Sequence, residues 1–389
     1  MNIKRPTARK ILYVIASLRG GAAEHLLYLM EHFSQRGDSV LLVAPEDCPA
    51  TADRMRSFGV RWLPLPLDRR WCPSAVRAIA ETLQSEAVDL LHTHGLRAGY
   101  YGRRALARAR KKGCRARSVY TIHGFHPVHY KSFSARWSAI HVEKRLFRRL
   151  TDHVIFVSDS DRTLFGNYVC PNVDQLYQRS SLILNGIRYP TPGQLPTRAE
   201  ARARLELSVE AFAIGTLSRL NRQKAVHVLI EAAALLQTEL PKLQVLIAGD
   251  GPLRSDLEAL AGRRGVAERV RFLGYSADAP ALYRALDCFV LSSLWEGLPL
   301  VLLEAAAAGI PIVASFVPGS DEVLEAERTG LFFARADAGD LAAQLRRVHD
   351  EPELARRLAA QARTTIPLRF SLEKMLEKTA RVYDNVLSG

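Results

Sequence analysis

Two glutamates and two cations are the residues best placed by type and spacing to do chemistry. Glu296 and Glu304 stand eight positions apart in LSSLWEGLPLVLLEAAAAGIPIVAS, Leu291 to Ser315, which reads as a strand end, a polar turn, a helix and a second strand. Pro299 fits the first helical position, where its missing N–H costs nothing. The N–H groups of the first turn, about Leu298 to Val301 and so including Leu300, then lack partners and form a ready anion site. A carboxylate before the helix, an anion-binding helix start and a carboxylate within the helix suit a sugar, a diphosphate and a ribose. A buried Ala/Leu-rich helix with incidental acids is the plain structural alternative, and this stretch alone does not choose between them. Arg219 lies just past a predicted strand, Ala211–Leu217, and Lys224 follows five positions later. An arginine there can hold a diphosphate bidentately, and a lysine can act as a point charge. Gly249 and Gly251, in AGDGP after another strand, let the backbone approach a nucleotide or turn sharply; a lone GxG does not decide which.

The first half of the chain offers glycines and histidines. Gly20-Gly21 sits between a strand and a helix, where backbone N–H groups could meet phosphate, with Glu24 in the first helical turn. His92 and His94 end one strand, and His123 and His126 end another. Hydrogen bonding to sugar hydroxyls, or to charge developing at a reacting carbon, is the preferred role for His123. A turn histidine bonded to backbone is the alternative, with more weight for His92, His94 and His126. No spacing of His, Asp and Glu forms a ligand set, so no metal is expected. The lack of a GxSxG elbow argues against a Ser/His/Asp hydrolase.

These residues need elements to hold them. Lys10–Ser17 is a continuous apolar run, as expected for a strand buried on both faces. Strands are predicted at Ser39–Ala44, Arg61–Leu67, Val88–Thr93, Arg117–Ile122, His153–Ser158 and Ser181–Leu184. Helices are predicted at about Ala22–Arg36, Ser74–Ser85, Gly99–Lys112 and Ser134–Leu150. The segment Tyr189–Pro196 holds three prolines and a glycine and reads as an interdomain linker. Beyond it strands are predicted at Ala211–Leu217, Leu243–Ala248, Val270–Leu273, Cys288–Ser292, Pro311–Ala314 and Gly330–Phe333, with helices in the gaps. Ser371 can cap a terminal helix, about Leu372 to Leu387. The fold class is therefore α/β: two doubly wound, Rossmann-like domains facing across a cleft, residues 1–188 and 199–370, joined by a linker at 189–198. Residues 371–389 form a terminal helix that crosses back to the first domain.

The set of motifs resembles glycosyltransferase family 4, retaining enzymes of the GT-B fold. Glu296 to Glu304 matches the family's E-x7-E motif. The rest appear in family order along nearly the whole chain: GGAAE from Gly20, HTHG from His92, TIHGFH from Thr121, FVSDS from Phe156, ILNGI from Ile183, GTLSRL with Lys224, AGDGP, and FLGY from Phe272. The resemblance implies a UDP- or GDP-linked sugar donor held by the second domain. Arg219 and Lys224 would bind its diphosphate, with Gly20, Gly21, Leu300 and Val301 nearby. Glu304 would bind ribose, and Glu296 the donor sugar. His123 would stand near the reaction centre, and His94, Gly249, Gly251, Gly297 and Leu298 would line the cleft. No cofactor and no metal are implied. Arg188, Ala225 and Ala22 depart from the family pattern, which often has Asp, Gly and Gly there.

Charge adds a partner. The 389 residues carry a net charge of +14, and the whole excess lies between Arg97 and Arg149, where 15 basic residues meet one acid, Glu143. This block also holds Tyr100, Tyr101, Phe133, Trp137 and Phe147. Cations among aromatic residues suit an anionic membrane surface, with a nucleic acid, a charged substrate or a plain solvated helix face as the other readings; with the family resemblance, the acceptor is expected to be a saccharide or a lipid-linked sugar. The five scattered cysteines and the absence of an eighteen-residue apolar run suggest a cytoplasmic protein, peripheral on the inner face of a membrane. The basic then apolar start imitates a signal peptide but reads better as a first strand. A GT-B type nucleotide-sugar epimerase and a basic nucleic-acid binder are the alternatives; no zinc-finger or RRM signature supports the latter, and no nucleic acid is expected.

Overall fold

Mostly apolar runs of three to six residues become parallel strands in two sheets in the computed structural model, which describes residues 8–67, 72–189, 191, 193, 196–275 and 279–389. The basic start at Met1–Thr7, and Pro190, Pro192, Gln194 and Leu195 of the expected linker, lie outside the described residues. The chain divides into two units. One runs up to Asn185 and includes Glu373–Gly389; the other is Gly186–Leu372.

The first unit holds β1 (Lys10–Ile15), β2 (Ser39–Ala44), β3 (Arg61–Pro64), β4 (Leu90–His94), β5 (Arg117–Ile122), β6 (His153–Phe156) and β7 (Ser180–Leu182), in the order β3-β2-β1-β4-β5-β6-β7. Leu12 pairs with Leu41 on one side and Leu91 on the other, and all three are buried. Burial on both faces explains why β1 and β2 are apolar beyond their first residue instead of alternating. The second unit holds β8 (Phe212–Leu217), β9 (Leu243–Ala248), β10 (Val270–Gly274), β11 (Cys288–Leu291), β12 (Ile312–Ser315) and β13 (Leu331–Phe333), in the order β10-β9-β8-β11-β12-β13. Strand order reverses beside β1 in the first sheet and beside β8 in the second. In open parallel sheets, ligands bind past the carboxyl ends of the strands at that reversal.

The helix Leu372–Ser388 belongs to the first unit through Glu373–Gly389. Its fully buried Tyr383 places its hydroxyl 3.1 Å from that of Tyr13 and 2.6 Å from Nδ1 of His92.

Three α-helices among the described residues of the first unit escape the sequence reading: Pro49–Ser57, Asp159–Tyr168 and Val173–Gln178. The second is signalled by SDSD, in which Ser158 caps the helix and Asp159 and Asp161 sit in its first turn. The basic helix starts at Gly95, not at about Gly99, because it follows His94 directly through a glycine with φ of +77°. Pro299 is the residue before its helix, extended at ψ 110°, and Leu300 is the first helical residue. Its ring therefore sets the entry to the helix from outside.

The basic block is partly interior. Arg103 is fully buried, donates to both Glu143 carboxylate oxygens at 2.7 and 2.8 Å, and lies 4.1 Å from the Tyr120 ring centre. Tyr101 and Phe147 are buried as well, so they are core residues, not surface aromatics. Glu143→Gln is expected to destabilise the protein by about 3–5 kcal/mol, because it leaves a buried guanidinium without its counter-charge. Urea unfolding checks this, and a wild-type midpoint would remove the pair from the core's supports.

Candidate active site

The reversal beside β8 collects the acids and cations of the second unit. Past β8, Arg219 is exposed, and its guanidinium has no partner among the described residues. Lys224 Nζ lies 2.6 Å from Glu296 Oε1, with the lysine side chain 19% and the glutamate 6% exposed. Ser293 Oγ donates to the same oxygen at 2.5 Å. Sequence reasoning assigned Lys224 and Glu296 to different parts of a ligand and missed this pair.

The two loops carrying that pair are tied together. Leu294 N–H donates to Gln223 O at 2.7 Å, Gln223 Nε2 to Trp295 O at 2.9 Å, and Ser292 Oγ to Lys224 O at 2.9 Å. Ala225, directly after Lys224, has φ of +46°. That left-handed backbone gives a physical reason for glycine at this position, since an alanine there is strained.

The helix Leu300–Ala308 follows the turn. Leu300 and Val301 begin it, and first-turn N–H groups have no helical carbonyl behind them. Glu304 accepts from the Tyr283 hydroxyl at 2.7 Å, and burial, reinforced by that carboxylate, holds the Tyr283 pKa well above its ordinary value. Tyr283 was not singled out from sequence; nothing links it to Glu304 until the fold is formed.

The glycines serve backbone packing. A Cβ on Gly249 would fall 1.8 Å from Ser218 O, and one on Gly251 would fall 2.3 Å from Leu220 O. Both therefore hold the β9 turn against the loop that carries Arg219. A Cβ on Gly319 would lie 2.0 Å from Gly297 O, so the Pro318–Glu322 turn backs the Glu296-Gly297 corner, where Gly297 and Leu298 are buried. A cavity of about 510 Å³ lined by Arg198, Arg284, Asp287 and Arg363 opens at the amino ends of β11 and β12 and shares no residue with this group.

The first unit brings its own candidates to the reversal beside β1. Gly20, with φ of +82°, precedes the helix Gly21–Gln35. Asp47 fixes the approach to it, accepting from Ser17 Oγ at 2.6 Å and Leu18 N–H at 2.7 Å. Glu24 is held by both guanidinium nitrogens of Arg54 at 2.8 and 2.9 Å.

The histidines divide by role. His92 is fully buried between the Tyr383 hydroxyl and Thr121 Oγ1, 2.6 and 2.7 Å away, and is structural. His94 Nδ1 and His123 Nε2 are 3.1 Å apart. His25 packs edge-on to His123 with ring centres 4.9 Å apart, and its Nδ1 lies 2.9 Å from Asn185 Oδ1. Burial lowers the pKa of His25 to about 4 and those of His94 and His123 well below the ordinary value, so all three are neutral at physiological pH. Sequence reading missed His25, although it directly follows Glu24.

Two family models match successive parts of the chain. The model for Glyco_transf_4, Glycosyltransferase Family 4, matches residues 19–188, and that for Glycosyl transferases group 1 matches residues 197–365. The chain is 30% identical over 266 residues to the lipopolysaccharide core biosynthesis mannosyltransferase LpsB of Rhizobium meliloti (strain 1021), covering 61% of this chain and 74% of that protein. It is 28% identical over 356 residues to the UDP-Gal:alpha-D-GlcNAc-diphosphoundecaprenol alpha-1,3-galactosyltransferase of Escherichia coli, covering 88% of each. The crystal structure of Anabaena Alr3699/HepE in complex with UDP and glucose superposes with a TM-score of 0.81 at 23% identity, over 97% of this chain and 99% of that one.

Proposed function

The chain belongs to glycosyltransferase family 4, and we propose on that premise that it moves a hexose from a UDP- or GDP-linked donor to a saccharide or lipid-linked acceptor, with retention of anomeric configuration. Its fold is GT-B, and it is a hexosyltransferase-type enzyme of polysaccharide or lipopolysaccharide-type biosynthesis. The observation that carries the finer reading is the Arg219 guanidinium, without a partner among the described residues, on the same strand-end loop as Lys224, which pairs with Glu296 of the loop after β11.

A diphosphate placed there takes Arg219 bidentately and draws Lys224 from Glu296. The freed Glu296 carboxylate then accepts from donor-sugar hydroxyls. Leu300 and Val301 offer amides to the same phosphates, and Glu304 accepts from ribose. As the bond from the anomeric carbon to the phosphate oxygen breaks, negative charge builds on the diphosphate. The two cations and the helix start stabilise it. The acceptor hydroxyl attacks from the same face, and its proton passes to the leaving phosphate oxygen. Neutral His123 hydrogen-bonds at the reacting centre. With cationic side chains supplying the charge, the reading takes no cofactor and no metal in turnover.

The Escherichia coli relative is named for UDP-galactose and a diphosphoundecaprenol-linked acceptor, which supports a UDP-sugar and a lipid-linked acceptor for this chain. Incubation with a panel of nucleotide sugars and lipid-linked saccharides tests the activity. Conversion of the donor with no acceptor present would point to the epimerase reading instead.

Glu304→Ala is expected to weaken nucleotide-sugar binding about 10- to 150-fold, the loss of one or two charge-assisted hydrogen bonds. Calorimetric titration measures it, and unchanged affinity would leave Glu304 as no more than the partner of Tyr283.

A membrane surface is part of the same reading. The helix Phe133–Leu150 exposes Phe133 (71%) and Trp137 (62%) in its first half, and Lys144, Arg145, Arg148 and Arg149 in its second. Such cations add roughly 1 kcal/mol each beside an anionic bilayer, and exposed aromatics insert at its interface. No helix among the described residues is long and apolar enough to cross a membrane. The protein is expected to bind anionic vesicles at low salt and leave them at high salt. Equal partitioning onto neutral vesicles would sink the idea.

A further inference from the structure

We propose that His25, His94 and His123 form a binding site for a transition-metal ion of the zinc type, and that the bound ion takes His123 out of the reaction. The second half rests on the role given to His123 above; the binding site does not.

The three rings come from separate elements. His25 lies on the helix Gly21–Gln35, His94 is the last residue of β4, and His123 directly follows β5. One ring nitrogen of each lies within 4.8 Å of one in both others. A tetrahedral zinc ion with bonds of about 2.0–2.1 Å sets its ligands about 3.4 Å apart. The 3.1 Å between His94 Nδ1 and His123 Nε2 is already close to that spacing, and His25 has only to close in.

Proton counting shows what the cluster lacks. His25 Nδ1–H donates to Asn185 Oδ1, which leaves Nε2 as a lone pair with no hydrogen-bond partner among the described residues. A backing partner of this kind fixes the tautomer and orients a metal-binding imidazole. His94 and His123 share one proton between them at most. His94 is 2% exposed, and its Nε2 is buried without a partner whichever ring donates. A cation bound to His94 Nδ1 and His123 Nε2 replaces the one shared proton and meets the His25 lone pair, while His94 then carries its own proton on Nε2. Burial keeps all three imidazoles neutral, the form that ligates.

The donor set selects the ion. Three nitrogens with no carboxylate favour zinc, copper or nickel over magnesium or calcium. Glu24, the nearest acid in sequence, is committed to Arg54. Three protein ligands leave one tetrahedral position open. Coordination through Nε2 of His123 would remove the lone pair on the side facing the other two rings and pin the ring.

Metal-stripped protein is titrated with Zn²⁺ against a chromophoric chelator, and with Co²⁺ to read tetrahedral nitrogen ligation from its visible absorption. One equivalent per chain is expected, with affinity lowered by more than about tenfold in His25→Ala and by about tenfold in Asn185→Ala. Circular dichroism confirms that each variant is folded. Zinc is expected to inhibit turnover of the wild type, and to inhibit His25→Ala only at higher concentration, each relative to its own metal-free rate. Absence of stoichiometric binding, or binding unchanged in His25→Ala, overturns the site. Stoichiometric binding without inhibition keeps the site and overturns the role of His123.

Discussion

Replacing Arg219 and Lys224 together by alanine reduces turnover by about 10³-fold or more while the protein stays folded, since each cation is expected to stabilise charge on the departing diphosphate. The two side chains enter this prediction differently. Arg219 has no partner within the described structure, so its loss leaves stability within about ±0.5 kcal/mol, as for a surface substitution. Lys224 neutralises a carboxylate that is only 6% exposed, and its loss leaves Glu296 with the Ser293 hydroxyl alone. Some destabilisation is therefore expected from the lysine and none from the arginine. Arg219→Ala is the cleaner single variant, because a loss of rate there has no folding explanation. Rate assays on protein shown to be folded by circular dichroism check both, and wild-type turnover in the double variant would reject the diphosphate assignment.

His123→Ala lowers kcat by about 10²- to 10³-fold and changes donor affinity by much less, the pattern of a contact made mainly in the transition state. His123 belongs to the first unit, beside His94 and His25, while Arg219, Lys224, Glu296 and Glu304 belong to the second. Its neutral ring at physiological pH can donate or accept a hydrogen bond without adding charge. Steady-state kinetics with calorimetric donor binding reads the two effects separately. An unchanged kcat would return His123 to a packing partner of His94.

The strands were the most legible part of the sequence. Buried parallel strands are written as short apolar runs, and 39–44, 117–122 and 243–248 were bounded to the residue. Short helices such as Pro49–Ser57 were not visible, because ATADRMR carries little apolar periodicity to mark a buried face. Site residues were legible as types at strand ends but not as partners. The Lys224–Glu296 pair spans 72 positions, the Arg103–Glu143 pair 40 and the Tyr383–His92 contact 291, and each exists only once the sheets are built. The same holds for the basic block. Its charge was countable, but which arginine turned inward depended on Glu143 and Tyr120 meeting it.

The central claim is that the second unit grips a nucleotide-sugar diphosphate through Arg219 and Lys224. Thermal-shift titration of the wild type and the double alanine variant, against a panel of UDP- and GDP-sugars, tests it most directly. At least one nucleotide sugar should raise the wild-type melting temperature in a saturable manner and leave that of the variant unmoved. An equal, saturable rise in both proteins would contradict the claim and place the diphosphate elsewhere.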